Sequence, residues 1–186
     1  AEALKQPARG IVINRIHPES PAQKAGLKVG DILLKLDNRE LNDIGALDFA
    51  LSTKTVGSVS QLVIRRGKTI KNINFPIQTL VDRSRRVKIT GNNPLSGTVV
   101  VKYNLSLAVE RGLDIFDQKE GIVITKIDRD SMPDRLGFVE DDVILKINDK
   151  EMKAIDDLTD LLKTESRQWH VQFKRKNETL SLLIRA

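Results

Sequence analysis

One stretch of this 186-residue chain occurs twice. Gly10–Thr53 aligns without a gap onto Gly121–Thr164. Roughly a third of the paired residues are identical and most others are conservative, a match that chance does not sustain over such a span. "GLKVGDILLKLDN" (Gly26–Asn38) answers to "GFVEDDVILKIND" (Gly137–Asp149). The chain is therefore read as a tandem of two similar units of roughly 80–90 residues, each large enough for a modest core.

Both copies spell one order of elements. "GIVINRI" (Gly10–Ile16) and "GIVITKI" (Gly121–Ile127) are β-branched runs after a glycine, hence strands. Ser20-Pro21 and Ser131 supply an N-cap hydroxyl ahead of a very short helix that Gly26 and Gly137 end. "DILLKL" and "DVILKI" are second strands, closed by Asp37-Asn38 and Asn148-Asp149, which suit tight hairpins. A longer helix follows, with stripes at Ile44, Leu47 and Leu51 and at Ile155, Leu158 and Leu162. Two closing strands turn at Gly67 in one copy and near Asn177 in the other. The fold class is α+β, mainly β: two small, largely antiparallel sheets or partial barrels, each capped by one short and one longer helix.

Residues 79–93 are polar and basic, end in Gly-Asn-Asn, and read as the linker between a first domain over 1–78 and a second over 94–186. Copy two carries "NPLSGTVVVKYNLSLAVERGLDIFDQKEG" before Gly121, whereas copy one has only "AEALKQPARG" before Ile11. "AEAL" pairs with "SLAVERGL", and nothing in copy one matches "PLSGTVVV". The expectation is that copy one lacks its first strand and that the chain is cut from a longer one.

Composition removes several functions. Cysteine is absent, which excludes disulfides and thiolate chemistry. No run of about 18 apolar residues exists to insert in a membrane, and the opening residues lack the apolar core of a signal peptide. The net charge of +6 is moderate, and aromatics are only 4%. The basic cluster at Arg83, Arg85, Arg86 and Lys88 therefore reads as a solvated linker rather than a nucleic-acid site. His17 and His170 have no partners at the spacing of a triad or a metal site. Asp141-Asp142 stand where Gly30-Asp31 stand in copy one, so they begin a strand and are not an acid–base pair. Asn104-Leu105-Ser106 and Asn177-Glu178-Thr179 are glycosylation sequons by pattern only. No catalytic residue, cofactor or metal is expected.

"SPAQKAGLKVGDILLKLDNREL" resembles the short helix, glycine and strand of a PDZ domain, and "DSMPDRLGFVEDDVILKINDKEM" is a second, looser match. The spacing "NPLSGTVV…LSLAVERGL" and the closing strand beginning at Trp169 are similar to the second PDZ domain of Do-like (HtrA/Deg) serine proteases. Copy two departs from the pattern at Asp141 and at Met132-Pro133. The resemblance implies a groove that binds a peptide as an added strand. Leu95, Ser96, Gly97 and Thr98 would form a turn of backbone N–H groups around a terminal carboxylate. Thr98, Val99, Val100 and Val101 would dock the peptide main chain. Ile155, Thr159 and Leu162 would face its side chains, with Leu158 at the base. Copy one keeps Ile44, Asp48 and Leu51 at the matching helix positions.

The implied partners are C-terminal or unfolded peptide segments and a protease domain of the same parent chain, in the periplasm or cell envelope. The parent would then be a trypsin-like endopeptidase, this chain holding none of its catalytic groups. The alternative readings are a non-enzymatic scaffold gathering partners by their C-terminal tails and, less favoured, the PDZ pair of an intramembrane protease.

Overall fold

The computed structural model describes residues 9–185. Its contacts divide the chain into two compact units that meet between Thr79 and Leu80. Each unit has its own antiparallel sheet and its own core.

In the first unit, β1 (Ile11–Val12) pairs with β2 (Ile32–Leu36), which pairs with β4 (Val59–Arg66), which pairs with β5 (Thr69–Pro76). The two-residue strand β3 (Arg39–Glu40) folds back on β2 through the Asp37-Asn38 turn, where Asp37 takes a positive φ of 50°. Helix α1 (Pro21–Lys24) is capped by Ser20, whose hydroxyl accepts the Gln23 N–H at 3.2 Å. Helix α2 (Ile44–Ser52) is capped by Asp43, whose carboxylate accepts the Ala46 N–H at 2.8 Å. Its core is Leu27, Leu33, Leu36, Leu41, Ala50, Leu62 and Ile64.

The second unit repeats this plan and extends it. β8 (Ile122–Ile127), β9 (Val143–Ile147), β11 (Gln168–Arg175) and β12 (Glu178–Arg185) correspond to β1, β2, β4 and β5, and β10 (Lys150–Glu151) to β3. Two strands stand beyond β8: β7 (Thr98–Lys102) and then β6 (Arg86–Lys88). Helix α3 (Leu105–Arg111) starts at Asn104, whose side chain accepts the Leu107 N–H, and stops at Gly112 in the left-handed region. Helices α4 (Met132–Arg135) and α5 (Ile155–Leu162) match α1 and α2.

Most of the expected elements are present; three points differ. "GIVINRI" is a strand only at Ile11–Val12. Ser131 precedes α4 without a capping bond, its hydroxyl buried, while Asp134 in the first turn accepts the Asp130 N–H at 2.8 Å. The fold class is the expected one: every strand pair among the described residues is antiparallel, and neither sheet closes into a barrel. The stretch read as a linker over 79–93 supplies β6 and, from Leu80 on, lies within the second unit. The expectation for "AEAL" and for a first strand of copy one falls outside the described residues.

Candidate functional site

The expected site residues converge on one place in the second unit. Alternation along β7 sends Thr98 and Val100 inward, both with no exposure, and Val100 joins a core cluster with Leu95, Ile155, Leu158 and Leu162. On α5 the spacing of three and four residues buries Ile155, Leu158 and Leu162 on one face. Thr159 is half-buried beside them, its hydroxyl turned to the Asp156 carbonyl. Asp157 supports the start of α5 by accepting the Ala154 N–H at 2.9 Å. Strand β7 and helix α5 thus pack on one shared apolar cluster.

The outer edge of β7 is covered by a segment of the same chain. β6 runs antiparallel on β7, with Arg86 opposite Val101, Val87 opposite Val100 and Lys88 opposite Val99. The Ile89 N–H donates to the Thr98 carbonyl at 2.8 Å, and the Gly97 N–H donates to the Ile89 carbonyl at 2.9 Å. Ile89, 4% exposed, lies in the core cluster with Leu95, Val100, Leu158 and Leu162, and Val87 packs against the same cluster. Arg86 and Lys88 point the other way, to solvent. Nothing in the reading of the sequence placed Ile89 or Val87 here. Their one signal is an apolar residue at alternate positions of a basic stretch, too short a pattern to separate from a linker.

The turn expected to hold a carboxylate is internally satisfied. The Leu95 N–H donates to Asn93 Oδ1 at 3.1 Å and the Ser96 N–H to the Asn93 carbonyl at 3.2 Å. The Gly97 N–H goes to Ile89, and the Thr98 N–H returns to the Leu95 carbonyl at 3.1 Å. As folded, no amide from Leu95 to Thr98 is left for a terminal carboxylate. Gly97 is required for a different reason from anion approach: its φ is +99°, and a Cβ there would sit 2.8 Å from the Ser131 Cβ.

Ion pairs frame the segment. Lys88 Nζ lies 2.7 Å from Asp128, and this hydrogen bond holds the Asp128 carboxyl below the ordinary carboxylate range. Arg85 reaches Asp156 on α5 at 3.8 Å with both side chains exposed. Asp82 is pushed up by burial but pulled further down by the Ser84 hydroxyl and N–H, then by Arg86. Asn104 Nδ2 donates to Ser84 Oγ at 2.8 Å, so the start of the segment is tied to the cap of α3. Beyond Ile89, a cleft of about 860 Å³ opens between residues 90–94 and the end of α5, with Trp169 and Ile184 in its wall.

The matching place in the first unit is more open. Ile44 is 66% exposed where its counterpart Ile155 is 8%, and Val12 on the outer strand is exposed. Among the described residues no strand pairs with the outer edge of β1. Neither histidine joins a catalytic set: His17 Nδ1 accepts the Glu19 N–H, and His170 lies exposed on β11. The described residues contain no cluster suited to a metal ion, and no helix is long and apolar enough to cross a membrane.

Residues 3–77 match the PDZ domain family model. A probable serine protease do-like from Buchnera aphidicola subsp. Acyrthosiphon pisum is 25% identical over 94% of this chain and 34% of its own length. The periplasmic serine endoprotease DegP of Salmonella typhimurium is 26% identical over 99% of this chain and 36% of its own length. A crystal structure of the HtrA3 PDZ domain bound to a phage-derived ligand is 32% identical over 37% of this chain and 59% of that one, with a TM-score of 0.34. The chain spans about a third of the length of the two curated relatives. The first unit thus matches the PDZ domain family, the second repeats its plan, and nearly the whole chain is similar to a part of Do-like serine proteases.

Proposed function

We propose that this chain is the peptide-binding PDZ region of a Do-like serine endopeptidase. It takes up C-termini or unfolded segments of substrates by strand addition and feeds or regulates a protease domain of the parent protein, in the periplasm or cell envelope. The observation that carries this reading is the seat of β6. An extended segment lies antiparallel on β7 beside α5, with two apolar side chains in the groove, which is the geometry of strand-addition recognition. The length and names of the relatives support the protease context, and their periplasmic naming supports the compartment.

The groove chooses apolar side chains because Leu95, Val100, Leu158 and Leu162 surround the position that Ile89 fills. Each side chain so buried stabilises a complex by about 1.5–3 kcal/mol before the cost of ordering the ligand. Main-chain bonds to β7 set direction and register without reading sequence. No atom of the site has to transfer a proton or attack a bond.

Fluorescence anisotropy of the 186-residue chain with labelled hexapeptides tests this. Peptides with Val and Ile two positions apart should bind in the micromolar range or weaker, and replacing both by Asp should abolish binding. Equal binding of the apolar and Asp peptides would remove the reading. Comparison of free-acid with amidated peptides separates terminal from internal recognition.

A further inference from the structure

We propose that residues 86–89 are a built-in ligand of the second unit, so that its peptide must displace β6. The competing ligand is an extended segment with apolar side chains two residues apart, and it need not end in a free carboxylate. This rests on the groove reading given above.

Each contact a ligand would make at β7 is made by the chain itself. Ile89 places its side chain in the pocket, and its carbonyl takes the Gly97 N–H at 2.9 Å, where one oxygen of a terminal carboxylate would otherwise sit. Val87, two residues earlier, occupies the next inward position opposite Val100. The segment does not stop there: the chain continues through Thr90 and Gly91 along the 860 Å³ cleft. An internal stretch of another polypeptide fits the same path.

The hold on β6 is modest. It is a strand of three residues with one paired edge. Only Ile89 is fully buried, and Val87 is half-buried. Its ion pairs, Lys88 to Asp128 and Arg86 to the buried Asp82, and that of the preceding Arg85 to Asp156, each leave the basic side chain about half exposed or more and add little in water. The residues from 78 to 85 that lead into it have no regular secondary structure. The Ser84–Asn104 bond and residues 90–93 tether its two ends, so it opens as a flap and remains close enough to return. When a binding-competent state is a minor fraction of the population, apparent affinity falls by that fraction.

The test is a reversible lock. Lys88 and Val99 are Cα partners across antiparallel strands, at a separation a disulfide spans. The chain has no other cysteine to interfere. Lys88→Cys with Val99→Cys is titrated, oxidised and reduced, with the acetylated and amidated peptide SRRVKIT. The oxidised form should lose binding by about tenfold or more relative to the reduced form of the same protein. A second variant, Val87→Thr with Ile89→Thr, should bind the peptide at least about tenfold more tightly than the parent chain. Equal affinity of the two redox forms overturns the built-in ligand and leaves the groove reading standing. Absence of binding by both redox forms and by the threonine variant, with native circular dichroism, overturns both. Binding only of a free-acid peptide ending at the isoleucine overturns the claim that internal segments serve.

Discussion

Asp31 and Asp142 hold the same position in the two repeats and make the same contacts. Arg66 donates Nε and Nη2 to the Asp31 carboxylate at 2.8 and 2.7 Å, and Arg175 donates both to Asp142 at 2.7 Å. Each arginine also reaches a helix-ending carbonyl, that of Gly26 or Gly137, and each aspartate accepts an N–H, that of Lys28 or Val139. The aspartate that looked like half of an acid–base pair thus fastens the closing hairpin to the short-helix turn. Its neighbour Asp141 takes a positive φ where Gly30 stands in copy one and pairs with Arg111 at 2.6 Å. Asp142→Ala leaves the part-buried Arg175 guanidinium and the Val139 amide without their shared acceptor and should cost about 3 kcal/mol in urea unfolding of the second unit.

Asp114 is held down to about 2 by the amides of Asp117 and Phe116, with Lys174 adding to them. Its depressed folded value means the stabilisation is present above the ordinary carboxylate range. It is lost as pH falls toward 2, and amounts to about 2 kcal/mol at neutral pH. Asp114→Asn should therefore flatten the fall of stability between pH 4 and pH 2, measured by denaturant unfolding across that range.

At the scale of elements, the repeat supplies its own control. Ile44 and Ile155 begin the equivalent helices α2 and α5, yet one is 66% exposed and the other 8%. Beside α5 stand Leu95, β7 and Ile89 in a single apolar cluster. Ile155→Ala should destabilise by about 2–3 kcal/mol, whereas Ile44→Ala should fall within about 0.5 kcal/mol of the parent. Thermal unfolding of the two variants checks this; equal losses would contradict the burial contrast.

The elements also show what could be read from the chain alone. Helices α2 and α5 were legible because their stripes repeat at three and four residues, and the hairpin turns because Asp37, Asn148 and Gly67 accept positive φ. The loop and strand of residues 94–102 were legible through "PLSGTVVV". β6 was not: Arg83, Arg85, Arg86 and Lys88 give its neighbourhood the composition of a linker. Its strand character comes from pairing with β7 rather than from local propensity. The satisfied Gly97 amide was hidden for the same reason, since Ile89 becomes its acceptor only once β6 pairs with β7, whereas the Leu95, Ser96 and Thr98 amides are met by local turns at Asn93 and Leu95.

For the whole molecule, two cores mean two cooperative units, and the division between Thr79 and Leu80 places β6 with the second. A fragment of residues 80–186 should fold alone and keep its groove filled. A fragment of residues 94–186 loses Val87 and Ile89 and should be less stable by about 2–4 kcal/mol, from the apolar surface it re-exposes. Urea midpoints of the two fragments decide this, and identical midpoints would show that β6 contributes nothing to the core. In the second unit the outer edge of β7 is already covered from within, by β6.

The most direct measurement is amide chemical-shift mapping of the 186-residue chain by nuclear magnetic resonance, during titration with the capped peptide SRRVKIT. The account predicts that the shifts that move belong to residues 86–89, 97–101 and 155–162. Saturation that leaves those residues unmoved, or that maps to another face of the second unit, would contradict it.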